Sequence, residues 1–419
     1  MAPPPVDLFP VVPVVALDQD RWRLPGLATA HSHAFQRALR GRTQRRSSAA
    51  DSFWSWRALM YRLVEQLDPD ALYTISRFAY TELAMSGVTA VGEFHYLHHA
   101  PHGHPYTNRT ELADAVIQAA LDVGIRLALL RTAYLRGGYQ QSLSAAQQRF
   151  ADPTVTDVIR DLETLRARYA NQPLVTIGVA AHSVRAVPLP QLIELAHYAR
   201  AQQFPFHMHI CEQRREVDEC LAEYGTTPVA LLAQQGLLSP HFVGIHATHL
   251  TPAEIQILGA ARCTICLCRT TERDLGDGLP PTSALVAAGV QLCVGVDSHA
   301  CGDAFEEIRA VELDERSRLE RRHIVADAST LLAMGSQIGY SACGLAAYAA
   351  ADQIWLRADD PALAAIDPEH AVDAILFAAG PRAVDRVDVA GRTIVEDGRH
   401  LHYDAALHDY QATLRRLSL

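Results

Sequence analysis

The stretch FPFHMHI (204–210), followed closely by Glu212, reads as a short strand that ends in chemistry. Residues two apart on a strand project from the same face, so His207 and His209 point the same way, with a carboxylate just past the strand end. Working outward, seven other short apolar or β-branched runs recur: Gly26 to His33, VTAVGEFHY (88–96), GIRLALLRTAY (124–134), LVTIGVAAHSV (174–184), FVGIHATHL (242–250), CTICLCRTT (263–271) and QLCVGVDSH (291–299). Helical stretches separate them, among them TDVIRDLETLRARYA (156–170) and LPQLIELAHYARAQQ (189–203), whose apolar residues recur at three and four. Strands alternating with helices predict a parallel α/β sheet, and eight of them close a (β/α)8, TIM-like barrel.

The barrel is expected over residues 25–345. Beyond it the pattern turns to short strand runs, QIWLRA (353–358), AVDAILFAA (371–379) and VDRVDVAGRTIVEDG (384–398), the last predicted as a hairpin turning near Ala390-Gly391. Together with Val11 to Trp22 these predict a small, reduced, β-sandwich-like accessory domain. It would combine an N-terminal segment (1–24) with residues 346–402, and the tail 403–419 is predicted helical. The stretch from Arg40 to Asp70 is a long connection rich in Ser, Trp and Arg. Insertions after barrel strands shape active-site mouths, so part of substrate recognition is expected there.

The 419 residues are 49% hydrophobic and 20% charged, a composition that can bury a large core. A net charge of −10 at pH 7 argues against a polyanionic partner, so no nucleic acid is expected. No run of about 18 apolar residues predicts a membrane span, and residues 1–20 lack a basic segment with a small-residue cleavage site, so a cytoplasmic location is expected. The eight cysteines show no disulfide-scaffold spacing and are expected as free thiols. Cys263, Cys266 and Cys268 lie in a strand-like run that sends residues three apart to opposite faces, which disfavours a zinc clip. The chain contains no lysine at all, so chemistry that needs an amine side chain is excluded.

The polar residues that remain gather at strand ends. His31 and His33 close the first strand, His207, His209 and Glu212 the fifth, His246 and His249 the sixth, Asp297 and His299 the eighth. Barrel enzymes collect their functional groups at the C-terminal ends of the strands, so histidines and carboxylates from four strands predict a metal site there. Imidazoles with a carboxylate suit Zn²⁺, with Fe²⁺ and Mn²⁺ compatible by ligand type, and no organic cofactor is expected. Without lysine a bridging carbamate cannot form, which favours one metal over two. His95, His98, His99, His102 and His104 are dense in sequence but loop-like, and are expected as a polar rim. Trp54 and Trp56 are expected as core or lid packing.

These residues resemble the amidohydrolase superfamily, and within it the formimidoylglutamate deiminases of histidine degradation. The resemblance runs from roughly Leu24 to Gly344. It rests on HSHAFQRALRG (31–41), DSFWSWRALMYR (51–62), EFHYLHH (93–99), AHSVRAV (181–187), HMHICEQRREVDECL (207–221), HATHL (246–250), TTERDLGDG (270–278) and DSHA (297–300). It implies His31, His33, His209 and Asp297 as zinc ligands, Glu212 and His246 as catalytic groups beside the bound water, with Asp297 counted among them, and Gln36, Tyr96, His182 and Arg185 as substrate contacts. His249 and His299 would then lie outside the metal shell. Related enzymes also suggest a homodimer.

In the implied reaction, hydroxide on the zinc attacks the formimino carbon of N-formimino-L-glutamate, Glu212 shuttles the proton, and N-formyl-L-glutamate and ammonia result. The Arg185 fork matches a carboxylate, and that substrate carries two. Two features depart from the family pattern: a short segment before LPG, from which an incomplete or rearranged accessory domain is expected, and Arg269, a charged, flexible residue where proline is usual. Three rival readings follow: action on N-formimino-aspartate, deamination of an aminated purine, pyrimidine or triazine ring, and a non-catalytic metal-binding paralogue.

Overall fold

The computed structural model describes residues 15–18, 20–46 and 51–419. Strands β1 (Val15–Asp18) and β2 (Arg21–Pro25) form an antiparallel pair at the start of the described chain. Next come eight parallel strands: β3 (Leu27–Ser32), β4 (Val88–His95), β5 (Arg126–Ala133), β6 (Val175–Ala181), β7 (Phe206–Ile210), β8 (Phe242–His246), β9 (Thr264–Leu267) and β10 (Gln291–Val294). They neighbour one another in chain order. The ring is joined by a parallel bridge between Ser32 and Asp297, where the His33 N–H donates to the Asp297 carbonyl (2.9 Å) and the Asp297 N–H to that of His31 (3.1 Å). Every residue of β3, β4 and β5 is buried, as expected of parallel strands covered on both faces, and this is why they read as mainly apolar runs without polar–apolar alternation.

Each of the eight expected runs contains one barrel strand, but the last three runs overshoot. After β8 the chain turns at His246 and Ala247, with φ of 73° and 52°, and after β10 at Asp297 and His299, with φ of 50° and 55°. Left-handed backbone at non-glycine residues ends a strand abruptly. After β9 a helix, Arg269–Leu275, begins at once. The two long predicted helices are present, as Val155–Tyr169 and Leu189–Ala201.

A second sheet, six strands and antiparallel, combines β1 and β2 with β11 (Gln353–Arg357), β12 (Val384–Val389), β13 (Arg392–Glu396) and β14 (Arg399–His400). Burial alternates along β2 and β11, so one face is packed and the other is partly open. The hairpin turns at Ala390-Gly391, both with positive φ (52° and 75°), the geometry a two-residue turn between twisted strands requires. AVDAILFAA is not a strand. Ala371–Ala378 is a helix, with Ala371, Ile375, Leu376 and Ala379 buried at helical rather than alternating spacing. Residues 1–14 of the expected N-terminal segment lie outside the described residues.

The Arg40–Asp70 connection, described apart from 47–50, carries helix α1 (Phe53–Val64) and leads into α2 (Pro69–Met85). The Asp68 carboxylate accepts from the Ala71 N–H (2.7 Å) and Pro69 takes the first turn, a strong start signal. The chain closes with a helix, Tyr403–Arg416, whose Tyr410 stacks on Phe78 of α2 with ring centroids 4.5 Å apart. All eight cysteines are free. Among the described residues no helix is long and apolar enough to cross a membrane.

Candidate metal centre and active site

Four side chains converge at the C-terminal mouth of the barrel. His31 is the penultimate residue of β3 with His33 just beyond the strand, His209 lies on β7, and Asp297 follows β10; one donor atom from each falls within a 4.8 Å group. His31 Nε2 lies 3.2 Å from His209 Nε2 and 3.3 Å from Asp297 Oδ1, and His33 Nε2 lies 3.4 Å from the same oxygen. A tetrahedral shell with bonds of about 2.1 Å has edges of roughly 3.4 Å, so these separations suit a divalent cation at the centre. Orientation supports the same fit. His33 Nδ1 donates to the Phe94 carbonyl (3.0 Å) and His209 Nδ1 to that of His182 (2.9 Å), which turns both Nε2 lone pairs inward. Burial, and then the neighbouring His31, hold His33 down at about 3; burial and adjacent imidazoles keep His31 and His209 well below the usual histidine range. Neutral imidazole is the form that ligates.

Glu212 and His246 stand beside this group. His246 Nε2 is 3.9 Å from Glu212 Oε1 and 3.8 Å from Asp297 Oδ2. Burial pulls His246 down, but Glu212, Glu272 and Asp297 outweigh it and lift it to about 10. Burial raises Glu212 above the usual carboxylate range, against the opposing charges of His246 and Arg185. A carboxyl raised above its ordinary range and close to the donor group is suited to taking up and returning a proton. Backbone at Cys211, His246, Ala247, Asp297 and His299 is left-handed, so the strand ends around the site carry local strain.

Gln36, Tyr96, His182 and Arg185 line the same pocket as His33, His209, Glu212, His246 and Asp297. Gln36 Nε2 donates to the Tyr96 hydroxyl (3.0 Å). Arg185 Nη1 is buried and has no hydrogen-bond partner among the described residues. Helix α1 supplies the opposite wall, through Phe53, Trp56, Arg57, Met60 and Tyr61. Arg57 is the residue the sequence reading missed. The signal was available: 53, 56, 57, 60 and 61 share one helical face, and an arginine within such an apolar stripe needs a partner there. Burial lowers its affinity for a proton, and Arg185 adds to the effect, which places two guanidinium groups within each other's field. Trp54 sits between Arg57 and Arg215, each guanidinium 4.5 Å from its ring.

His207 shares β7 with His209 but donates from Nε2 to the Ala342 carbonyl (2.7 Å) and stays outside the metal group, as do His249 and His299. Two expectations change. His95, His98 and His99 are buried rather than a rim: His98 and His99 are bound to the Thr132 and Ala151 carbonyls, beside the buried Arg131–Asp152 pair. Only His102 and His104 of that cluster are exposed. Arg269 is not flexible either, being itself buried and fixed in ion pairs with the buried Glu272 and the part-exposed Asp314.

The strand ends of the barrel gather three imidazoles, an aspartate and an adjacent glutamate–histidine pair, a donor group of the kind that can hold a metal ion, and the chain belongs to the amidohydrolase family, which it matches over residues 22–393. It is a hydrolytic enzyme acting on C–N bonds. It is 38% identical to a formimidoylglutamate deiminase of Pseudomonas aeruginosa over 90% of this chain and 85% of that protein. An 8-oxoguanine deaminase of the same organism is 30% identical over 90% of this chain and 82% of its own length. The crystal structure of an amidohydrolase from Brucella melitensis superposes with a TM-score of 0.89 at 32% identity, covering 95% of this chain and 90% of that one.

Proposed function

We propose that this enzyme hydrolyses the formimino group of N-formimino-L-glutamate to N-formyl-L-glutamate and ammonia, a step of histidine degradation. The proposed ligands of one zinc ion are His31, His33, His209 and Asp297. When bound, zinc supplies a nucleophile at neutral pH by lowering the pKa of water towards about 7. Glu212 carries the two protons of the attacking water in turn to the departing nitrogen: with the first, water adds across C=N, and with the second, taken from the added hydroxyl, the C–N bond breaks, C=O forms and ammonia leaves. His246 offers Nε2 to the negative oxygen of the tetrahedral carbon. Arg185 and Arg57 take the two carboxylates, and Gln36, Tyr96 and His182 fix the chain between them.

The observation that carries this reading is the unpartnered, buried Nη1 of Arg185 in a pocket that also holds Arg57. A buried guanidinium nitrogen without an acceptor is costly, and a substrate carboxylate supplies one. A neutral purine, pyrimidine or triazine ring would leave both arginines unanswered. The test is ammonia release from N-formimino-L-glutamate, N-formimino-L-aspartate, guanine and adenosine, with metal content measured alongside. Turnover of the first, with one zinc per chain, supports the proposal. Turnover of a ring substrate alone overturns the substrate, and a protein that carries no divalent ion overturns the site.

A further inference from the structure

Glu272 lies immediately behind His246 and has no part in the reaction as proposed above. It is fully buried in the short helix after β9, where Oε1 accepts from His246 Nδ1 (3.3 Å) and from the Cys268 N–H (2.9 Å). Its other oxygen is paired with Arg269 Nη1, and Arg269 in turn is tied to Asp314 through Nε (2.9 Å) and Nη2 (2.6 Å). Both carboxylate oxygens are thus committed, and the fork that holds one of them is itself anchored on a neighbouring helix, Ala304–Leu319. Donor atoms of His246, Cys268 and Glu272 also fall within 4.8 Å of one another, close enough to hold a cation. The guanidinium already paired with Glu272 opposes a second positive ion there, so the group is built to hold a proton on Nδ1 instead.

An imidazole has two nitrogens, and a partner on one decides what the other presents. With Nδ1–H directed at Glu272, the Nε2 edge of His246 is held toward Glu212 and Asp297. We infer that Glu272, clamped by Arg269, is a positioning residue that fixes the ring orientation of His246 at the reacting atoms. The inference rests on the proposed placement of His246 beside those atoms.

The test uses the zinc-loaded enzyme and two variants, Glu272→Ala and Glu272→Gln, measured for kcat, KM, zinc content and the crystal structure of each. Glu272→Ala removes the acceptor, and kcat is expected to fall about 10- to 100-fold, the range for loss of a partner that orients a site histidine, with KM within about threefold and zinc retained. Glu272→Gln keeps an acceptor oxygen for Nδ1 and is expected to recover kcat to within about tenfold of wild type. In the Glu272→Ala crystal structure the His246 ring should be rotated or spread over two orientations. A kcat within threefold of wild type, or a His246 ring that does not move, overturns the inference. If Glu272→Ala does not fold, Glu272→Gln decides alone, and a loss of 100-fold or more in it overturns the inference. Should the wild-type enzyme release no ammonia from N-formimino-L-glutamate, the substrate reading fails by itself, and the ring orientation in the variant crystals still settles the role of Glu272.

Discussion

Arg185→Ala is the sharpest probe of the proposed substrate. Arg185 follows β6 and presents a buried Nη1 that no atom of the described residues satisfies, which leaves it to take a carboxylate from the pocket. A hydrogen bond to a charged group is worth about 1.5–3 kcal/mol, and a two-pronged grip about 3–4 kcal/mol once the rest of the site is intact. At about 1.4 kcal/mol per tenfold, kcat/KM should fall roughly 100- to 1,000-fold, mostly through KM. Arg185→Lys keeps the charge but not the fork and should lie between the two. A second effect has a definite sign. Burial raises Glu212, and the positive charge of Arg185 opposes that rise. Removing Arg185 therefore raises Glu212 further, so the acid limb of the kcat/KM profile moves to higher pH. The assay is initial-rate ammonia release against substrate concentration from pH 5 to 9, with zinc content checked. A formamidine without carboxylates serves as control and should be turned over alike by both enzymes at pH values above the acid limb. A KM within about threefold of wild type with zinc in place would refute the carboxylate clamp.

Glu212→Gln should lower kcat about 100- to 10,000-fold while zinc stays bound, and undiminished turnover would remove it from proton transfer. Chelation should abolish activity and lower the melting temperature by several degrees, because a ligand present at about 100 times its Kd adds roughly 2.7 kcal/mol; added Zn²⁺ should restore both. Gly295→Ala should cost about 1–3 kcal/mol in stability, since a Cβ there would sit 2.7 Å from the His31 Cβ. Its diagnostic sign is loss of metal with retained secondary structure, and a variant that keeps full zinc content would show the His31 strand to be more tolerant than this packing implies.

The barrel was legible because its strands are buried on both faces and so appear as apolar runs of strand length, while His31-Ser32-His33 and His207-Met208-His209 carry period two openly. The ends of those strands were not legible. Left-handed backbone at His246, Ala247 and Asp297 is a tertiary bargain between adjoining strands, and none of these residues announces a turn as glycine would. AVDAILFAA misled for a related reason: a short apolar run fits strand or helix, and only the burial of 371, 375, 376 and 379 decides it. His98 and His99 looked like surface because they follow one another in a loop, yet their carbonyl partners Thr132 and Ala151 lie more than 30 residues away. Glu272 was beyond reach, since its meaning depends on His246, 26 positions earlier.

Closure of the barrel and assembly of the metal group involve the same residues. The bridge from Ser32 to Asp297 is the link that joins β3 to the strand end after β10, and it is flanked by His31, His33 and the Asp297 carboxylate. Ser32 itself donates to Glu93 Oε2 (2.6 Å) and accepts from His299 Nε2 (2.9 Å), while the other Glu93 oxygen takes the Ala34 N–H (2.9 Å), so the histidine pair is held from below by a network that spans β3, β4 and the turn after β10. Register at the seam is therefore held by Ser32, Glu93 and His299, none of which lines the pocket. A slip of one residue would send both β3 histidines to the opposite face and open the ring at once. The residues whose donor atoms sit at mutual distances suited to a cation are therefore the same ones that close the sheet.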